Sequence, residues 1–350
     1  MTKYFTRPQL VQFRTNLLAW FDLHKRDLPW RRTLDPYAIW VSEIMLQQTR
    51  VAAVLDHYAK WMVRFPTVEA LATASEDEVL TAWSGLGYYR RARFLHKGAK
   101  AVVSEYAGKL PPTAAELRQL PGIGAYTSAA IASIAFGEAV AVVDGNVQRV
   151  LLRQLGAAEK GSPGSTKARL TLTASEMQQL SGQLVDPERP GDFNQAMMEL
   201  GATVCLPRNP LCMYCPVQVT CRTRGEHPTA KRQAGSSVEI AYALILRERR
   251  GAEEVLLEQR APEATVMSGM WELPLFPGPP QQEKPQLVLR HAIMQTNYRV
   301  AVIAQPAKTS GLPNTGATRS WVEFADLGKF PLTGLARKIL LRLGVLDLSR

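Results

Sequence analysis

All four cysteines of the chain, Cys205, Cys212, Cys215 and Cys221, fall in one short segment with the spacing Cys-x6-Cys-x2-Cys-x5-Cys. Thiols that merely fill a core scatter along a sequence, whereas four so close together point to one shared partner. Four thiolates can wrap a tetrahedral zinc or a cubane iron–sulfur cluster. Zinc ribbons usually set two Cys-x2-Cys knuckles on either side of a longer arm. Here one knuckle, Cys212 and Cys215, stands between uneven arms. That pattern favours a compact loop around a larger object, an iron–sulfur cluster, with zinc as the alternative. Disulfides are disfavoured in a cytosolic chain.

The segment before this loop reads as helical to about residue 222. Apolar residues recur every three or four positions at Leu10, Phe13, Leu17, Leu18 and Phe21, and again at Ile44, Val51, Val54, Leu55, Tyr58 and Met62. Turns rich in Gly and Pro, such as Ser84-Gly85-Leu86-Gly87 and Pro121-Gly122-Ile123-Gly124, separate short helices. Residues 223–237 are polar, basic and aperiodic, and read as a linker. The period then becomes strand-like. Ile240–Leu246, Val255–Gln259, Trp271–Leu275 and Tyr298–Ile303 are predicted strands, and Thr333–Leu343 an amphipathic helix. A chain of 350 residues is long for one domain. The expected organisation is therefore multidomain, an all-α domain over 1–222 followed by a smaller α+β domain over 238–350. No stretch approaches a membrane span, and Met1–Asn16 holds no apolar signal core. The expectation is a cytoplasmic monomer with no membrane partner.

The formal net charge is +11, and most of the excess lies before residue 236. A basic domain attracts polyanions, of which nucleic acid is the commonest in a cytoplasm; a solubility charge is the plain alternative. Three constellations add chemistry. In Leu120-Pro121-Gly122-Ile123-Gly124 a glycine hairpin precedes a helix of small residues, and Gly122 and Gly124 would let backbone N–H groups approach a phosphate. The same glycines also suit an ordinary turn between packed helices. Glu43 sits among Ile39, Trp40, Val41, Ile44, Met45 and Leu46, where desolvation would raise its pKa and suit a general acid; a solvated helix face is the alternative. Asp144 follows an apolar run and opens a helix, so an N-cap role is expected, compatible with a chemical one. Tyr88 and Tyr89, followed by Arg90, Arg91 and Arg93, are suited to stacking on bases and gripping phosphate, or to a solvated basic helix start.

Taken in order, these stretches resemble one family. Asp27-Leu28-Pro29-Trp30, Val41–Thr49, Gly85–Tyr89, Leu120–Gly124, Val143–Val147 and Phe193–Gly201, together with the cysteine spacing, are similar to the MutY-type adenine DNA glycosylases of the endonuclease III superfamily. The resemblance implies an all-α helix–hairpin–helix glycosylase domain with a [4Fe-4S] loop, followed by a smaller α+β Nudix-like domain. A six-helix module would span about 29–136, and an iron–sulfur module about 1–28 plus 137–222. It implies one [4Fe-4S] cluster per chain on Cys205, Cys212, Cys215 and Cys221, bracing a basic loop that includes Arg208. It implies a bacterial base excision repair enzyme working on nucleoid DNA, with a partner duplex that carries adenine mispaired with 8-oxoguanine or guanine. Glu43 would protonate the flipped adenine, and Asp144 would stabilise the oxocarbenium-like sugar. Tyr126 and Asn146 would hold Asp144 and the sugar. Gln48 and Tyr88 would fill or wedge the stack when the base leaves, and Arg31 would contact that base.

Two positions separate this chain from its rivals and from its own family. A pyrimidine-specific lyase on the same fold needs a lysine where Tyr126 stands, so a monofunctional enzyme is expected. The C-terminal domain lacks a Glu-rich Nudix box, which disfavours nucleotide hydrolysis. The family reads the base opposite adenine with a Phe-Ser-His loop shortly after an Arg-His pair. Here Arg290-His291 is followed by Ile293-Met294-Gln295. The expectation is activity opposite both 8-oxoguanine and guanine, with weaker preference for 8-oxoguanine than the family norm.

Overall fold

The computed structural model describes residues 4–160, 170–226, 236–261, 263–264, 266–276, 283–293, 296–307, 312 and 317–347. Eleven α-helices precede the C-terminal strands among these residues: α1 (Arg7–His24), α2 (Pro36–Leu46), α3 (Val51–Arg64), α4 (Val68–Thr73), α5 (Glu76–Ala82), α6 (Arg90–Glu105), α7 (Ala114–Leu117), α8 (Ala125–Ala135), α9 (Gly145–Leu155), α10 (Ala174–Leu184) and α11 (Pro190–Thr203). Two two-residue strands, β1 (Ala158–Glu159) and β2 (Thr171–Leu172), pair in parallel between α9 and α10. Then follow β3 (Ser236–Arg249), β4 (Ala252–Gln259), β5 (Trp271–Glu272), β6 (Leu287–Ile293), β7 (Thr296–Gln305), β8 (Arg319–Glu323) and α12 (Gly334–Arg342). No helix of the described residues is long and apolar enough to cross a membrane.

The chain divides into two compact units. The first is Met1–Ala72 with Lys97–Lys231, and the second is Thr73–His96 with Arg232–Arg350. In the first unit, α1 begins at a capping box in which Thr6 and Gln9 satisfy each other's backbone N–H groups. Its buried face, Phe13, Leu17, Leu18 and Phe21, joins Val147, Val150 and Leu151 of α9 and Phe193, Met197 and Leu200 of α11 in one core. Helix α2 is different in kind. Every residue from Tyr37 to Met45 is buried, the pattern of a helix that is apolar all round. Asp35 caps it and Pro36 opens its first turn.

In the second unit the sheet runs β5-β4-β3-β7-β6, with β8 also paired to β4. The long β3 pairs in parallel with β7 along its first part and antiparallel with β4 at its end. The β3–β4 hairpin turns on Arg250 and Gly251, both at positive φ, which matches the twist of the flanking strands. Tyr242, Leu244, Val255, Leu257, Val300 and Val302 form a core with Leu335, Ile339 and Leu340 of α12. Helical periodicity alone does not suggest the grouping of Thr73–His96 with this sheet. Side-chain bonds carry it: the Tyr89 hydroxyl donates to the Leu332 carbonyl at 3.1 Å, and Arg93 donates to the Ser268 carbonyl. Strands β6 and β8 are absent from the sequence reading. Arg290-His291 interrupts the apolar run of β6, and β8 is only five residues long with charged ends.

Candidate active site

A cavity of about 550 Å³ in the first unit is lined by residues of α2, α8, α9 and α11. Glu43, Tyr126, Asp144, Asn146, Arg31 and Gln48, all singled out from sequence, share its walls. Glu43 projects from the apolar α2 and is only 6% exposed. Burial pushes its carboxyl up to about 7, with the charge of Asp144 adding to the shift. The Tyr126 hydroxyl donates to Glu43 Oε2 at 2.9 Å and also lies 3.2 Å from Met198 Sδ. Tyr126 is thus bonded to Glu43, whereas the sequence reading paired it with Asp144.

Asp144 is the N-cap of α9, accepting from the Val147 N–H at 2.7 Å. Its other oxygen accepts from Asn146 Nδ2 at 3.1 Å. Both carboxylate oxygens are therefore held by donors at the start of α9. Asn146 is fixed in turn by close packing. A Cβ on Gly201 would lie 2.6 Å from the Asn146 Cβ, so glycine lets α11 approach α9 at this point. Arg149 donates to Asn146 Oδ1 at 2.9 Å, to the Gly201 carbonyl at 2.7 Å and to the Cys205 carbonyl at 2.8 Å.

Glu199, which the sequence reading did not single out, forms the opposite electrostatic case. Its side chain is 1% exposed, yet it accepts a bidentate pair from Arg26, both bonds at 2.7 Å, and a third bond from Arg31 at 2.9 Å. Burial alone would raise its pKa, but the two guanidinium groups hold it at about 2. Arg31 is thereby oriented within the cavity wall, its guanidinium also 5.4 Å from the centre of the Phe21 ring. The signal available was an acidic residue among Met197, Met198 and Leu200, the same signal that marked Glu43.

Gly122 has φ +79, and Gly124 caps α8 through its backbone, with nothing within 4 Å of where a Cβ would stand. The unoccupied space beside Gly124 shows that intramolecular packing does not dictate glycine there. Gln48 and Tyr88 both adopt positive φ, 57° and 48°, which is uncommon for residues with a side chain and marks stored backbone strain. Gln48 lines the cavity. Tyr88 belongs to the second unit, where it is exposed and the Arg91 guanidinium lies 5.5 Å from its ring. In that unit Arg290 and His291 lie on β6, which ends at Ile293; Met294 and Gln295 lie outside the described residues.

The four cysteines line one pocket, each half-buried and free. Among the described residues no group of His, Cys, Asp or Glu is arranged to hold a single metal ion. Burial pushes the Cys215 thiol up to about 12 and raises Cys212, and the neighbouring sulfurs add to both shifts. Positive charge lies beside these sulfurs: the buried Arg153 donates to Cys205 Sγ at 3.4 Å. Soft sulfur donors around one pocket, with a buried cation against them, suit an iron–sulfur group.

Known proteins resemble this chain along much of its length. Residues 41–175, which hold the second half of α2 with Glu43, the glycine hairpin and Asp144, match the HhH-GPD superfamily of base excision DNA repair proteins. The chain is 42% identical over 357 residues to the adenine DNA glycosylase of Homo sapiens, an alignment covering 95% of this chain and 61% of the human one. It is 44% identical over 210 residues to the adenine DNA glycosylase of Mycolicibacterium smegmatis, covering 59% of this chain and 68% of that one. Among solved structures, a thermostable thymine-DNA glycosylase superposes with a TM-score of 0.55 at 30% identity, covering 62% of this chain and 97% of that one. The helical region has the fold of the HhH-GPD class. Within that class, the chain belongs to the adenine DNA glycosylase family. It spans less than two thirds of the length of its human relative.

Proposed function

We propose that the protein is a monofunctional DNA glycosylase that excises adenine mispaired with 8-oxoguanine or guanine from duplex DNA, acting as a monomer in base excision repair. One observation carries the reading: Glu43, held near a pKa of 7 by burial, shares a single cavity with Asp144. Neutral adenine is a poor leaving group, and an acid with a pKa near ambient pH is suited to protonate it. Glu43 delivers its proton to N7 of the flipped base. Asp144, supported by the α9 N-terminus and Asn146, stabilises the positive charge that develops on the sugar. Arg31, oriented by Glu199, contacts the base. Gln48 and Tyr88 occupy the stack from strained backbone positions, offsetting a flipping cost of a few kcal/mol. Gly122 and Gly124 present the α8 N-terminus to phosphate.

Cys205, Cys212, Cys215 and Cys221 would hold one [4Fe-4S] cluster, which when bound braces the loop carrying Arg208 against the DNA backbone. The sheet-bearing region is read as a Nudix-like domain that inspects the base opposite adenine. Tyr126 gives no amine for a Schiff base, so the product is an abasic site on an intact strand.

The test is single-turnover cleavage of one duplex series with A, T, U or C opposite 8-oxoguanine or guanine, with borohydride present in parallel. Adenine is expected to be excised and no covalent adduct trapped. Excision of thymine or uracil but not adenine, or an adduct as the main product, would sink the reading. The same series ranks the two opposite bases. Replacing Ile293-Met294-Gln295 by Phe-Ser-His is expected to sharpen the preference for 8-oxoguanine.

A further inference from the structure

Arg153 is the one buried cation that lines the cysteine pocket; Arg224, which also lines it, is exposed. Arg153 is 3% exposed on α9, so its charge is little screened by water. Its Nη1 donates to Cys205 Sγ at 3.4 Å and to the Leu206 carbonyl at 2.6 Å, and Nη2 donates to the Pro207 carbonyl at 2.9 Å. Its Nε is buried and has no hydrogen-bond partner. A buried N–H left unpaired costs about 1–3 kcal/mol, and a guanidinium used only to tie two carbonyls has no need of this placement. Its contact with Cys205 Sγ sets a little-screened positive charge against the cysteine pocket.

We propose that Arg153 sets the redox poise of the cluster by donating from Nη1 to Cys205 Sγ. The inference rests on the reading that these cysteines hold an iron–sulfur cluster. Hydrogen bonds to sulfur, local charge and burial are the levers that set such potentials. A cation and its N–H donors stabilise the more negative, reduced form. Their removal favours the oxidised form. Among the described residues the Arg153 side chain hydrogen-bonds to Cys205, Leu206 and Pro207 and to no residue lining the Glu43 cavity, so it is a positioning and tuning residue rather than a catalytic one.

The experiment uses the full cluster-bearing chain, with Arg153→Met and Arg153→Lys beside wild type. Iron and sulfide are counted, and the oxidised-to-reduced ratio is then followed against applied potential by visible absorbance. At a fixed potential the ratio is expected to rise at least tenfold in Arg153→Met, ~59 mV for a one-electron couple. Arg153→Lys, which keeps the charge but loses the fork, should fall between. Ratios within twofold of wild type in both loaded variants would overturn the proposal and leave Arg153 a structural tie. If neither variant loads, wild-type protein carrying ¹⁵N-guanidinium arginine decides: pulsed EPR of the paramagnetic member of the couple should show a guanidinium nitrogen coupling, and its absence overturns the proposal. Wild type without iron and sulfide would refute the cluster reading itself, a result distinct from the others.

Discussion

Glu43 and Glu199 are the same residue type, both buried and both on the wall of one cavity, yet they stand at opposite ends of the carboxylate range. On α2, Glu43 has one neutral partner, Tyr126, and burial pushes it to about 7. On α11, Glu199 has two arginines and is held at about 2. The difference lies in the partners that desolvation leaves beside each one. Without a bonded cation, burial makes an acid that keeps its proton near neutrality; with two, it makes a permanent anion whose use is to orient Arg31. One glutamate is thereby available for proton transfer and the other for binding.

The largest expected effect comes from removing the titrating member. Glu43→Gln keeps shape and loses the proton, and single-turnover excision is expected to fall about 10²–10⁴-fold, the usual worth of a general acid. Duplex affinity, read by fluorescence anisotropy, should change little. Excision within tenfold of wild type would take Glu43 out of its role and erase the contrast with Glu199.

Removing the permanent anion should instead be a stability event. Glu199→Gln leaves two guanidinium groups without their counter-ion, at an expected cost of about 3 kcal/mol. The low end of the range applies because the Arg26 side chain is 40% exposed and can reach water. Urea unfolding measures it, and a midpoint unchanged from wild type would show that the ion trio contributes nothing to the fold.

A smaller effect separates the two residues by pH. The folded-state pKa of Glu43 lies above the ordinary glutamate value of 4.5, so the native protein binds the extra proton between about 4.5 and 7. Its contribution to stability is fully present below 4.5 and is lost as pH rises through about 7. Glu43→Gln has no such titration. Its stability relative to wild type should therefore rise by about 1–3 kcal/mol between pH 4 and pH 8, the span set by the shift. Parallel stability curves for the two proteins would contradict a raised Glu43 pKa. Glu199, whose pKa is lowered, works in the reverse sense and loses stability only as pH falls toward 2.

Local signals made much of this legible. An acid in an apolar run marked Glu43, and an aspartate that follows an apolar run and opens a helix marked the cap at Asp144. The glycine hairpin and the cysteine spacing are likewise local. Contacts across long stretches of chain were not legible. Arg26 meets Glu199 across 173 positions, and nothing in either neighbourhood announces the other. The same holds for Tyr126, whose hydroxyl reaches α2 rather than Asp144. It holds too for Thr73–His96, which reads as one more helical stretch and packs with the sheet. Backbone strain at Gln48 and Tyr88 is equally silent, since neither residue type demands positive φ.

Proton donation by Glu43 is tested most directly by the pH dependence of excision. Subsaturating single-turnover rates report the pKa values of the free protein. With a duplex carrying adenine opposite 8-oxoguanine, the wild-type rate should be highest below pH 7 and fall about tenfold per pH unit above it, as the Glu43 proton is lost. Glu43→Gln should lose this limb along with its activity. A wild-type profile flat from pH 5.5 to 8.5, or the same limb retained in Glu43→Gln, would contradict it.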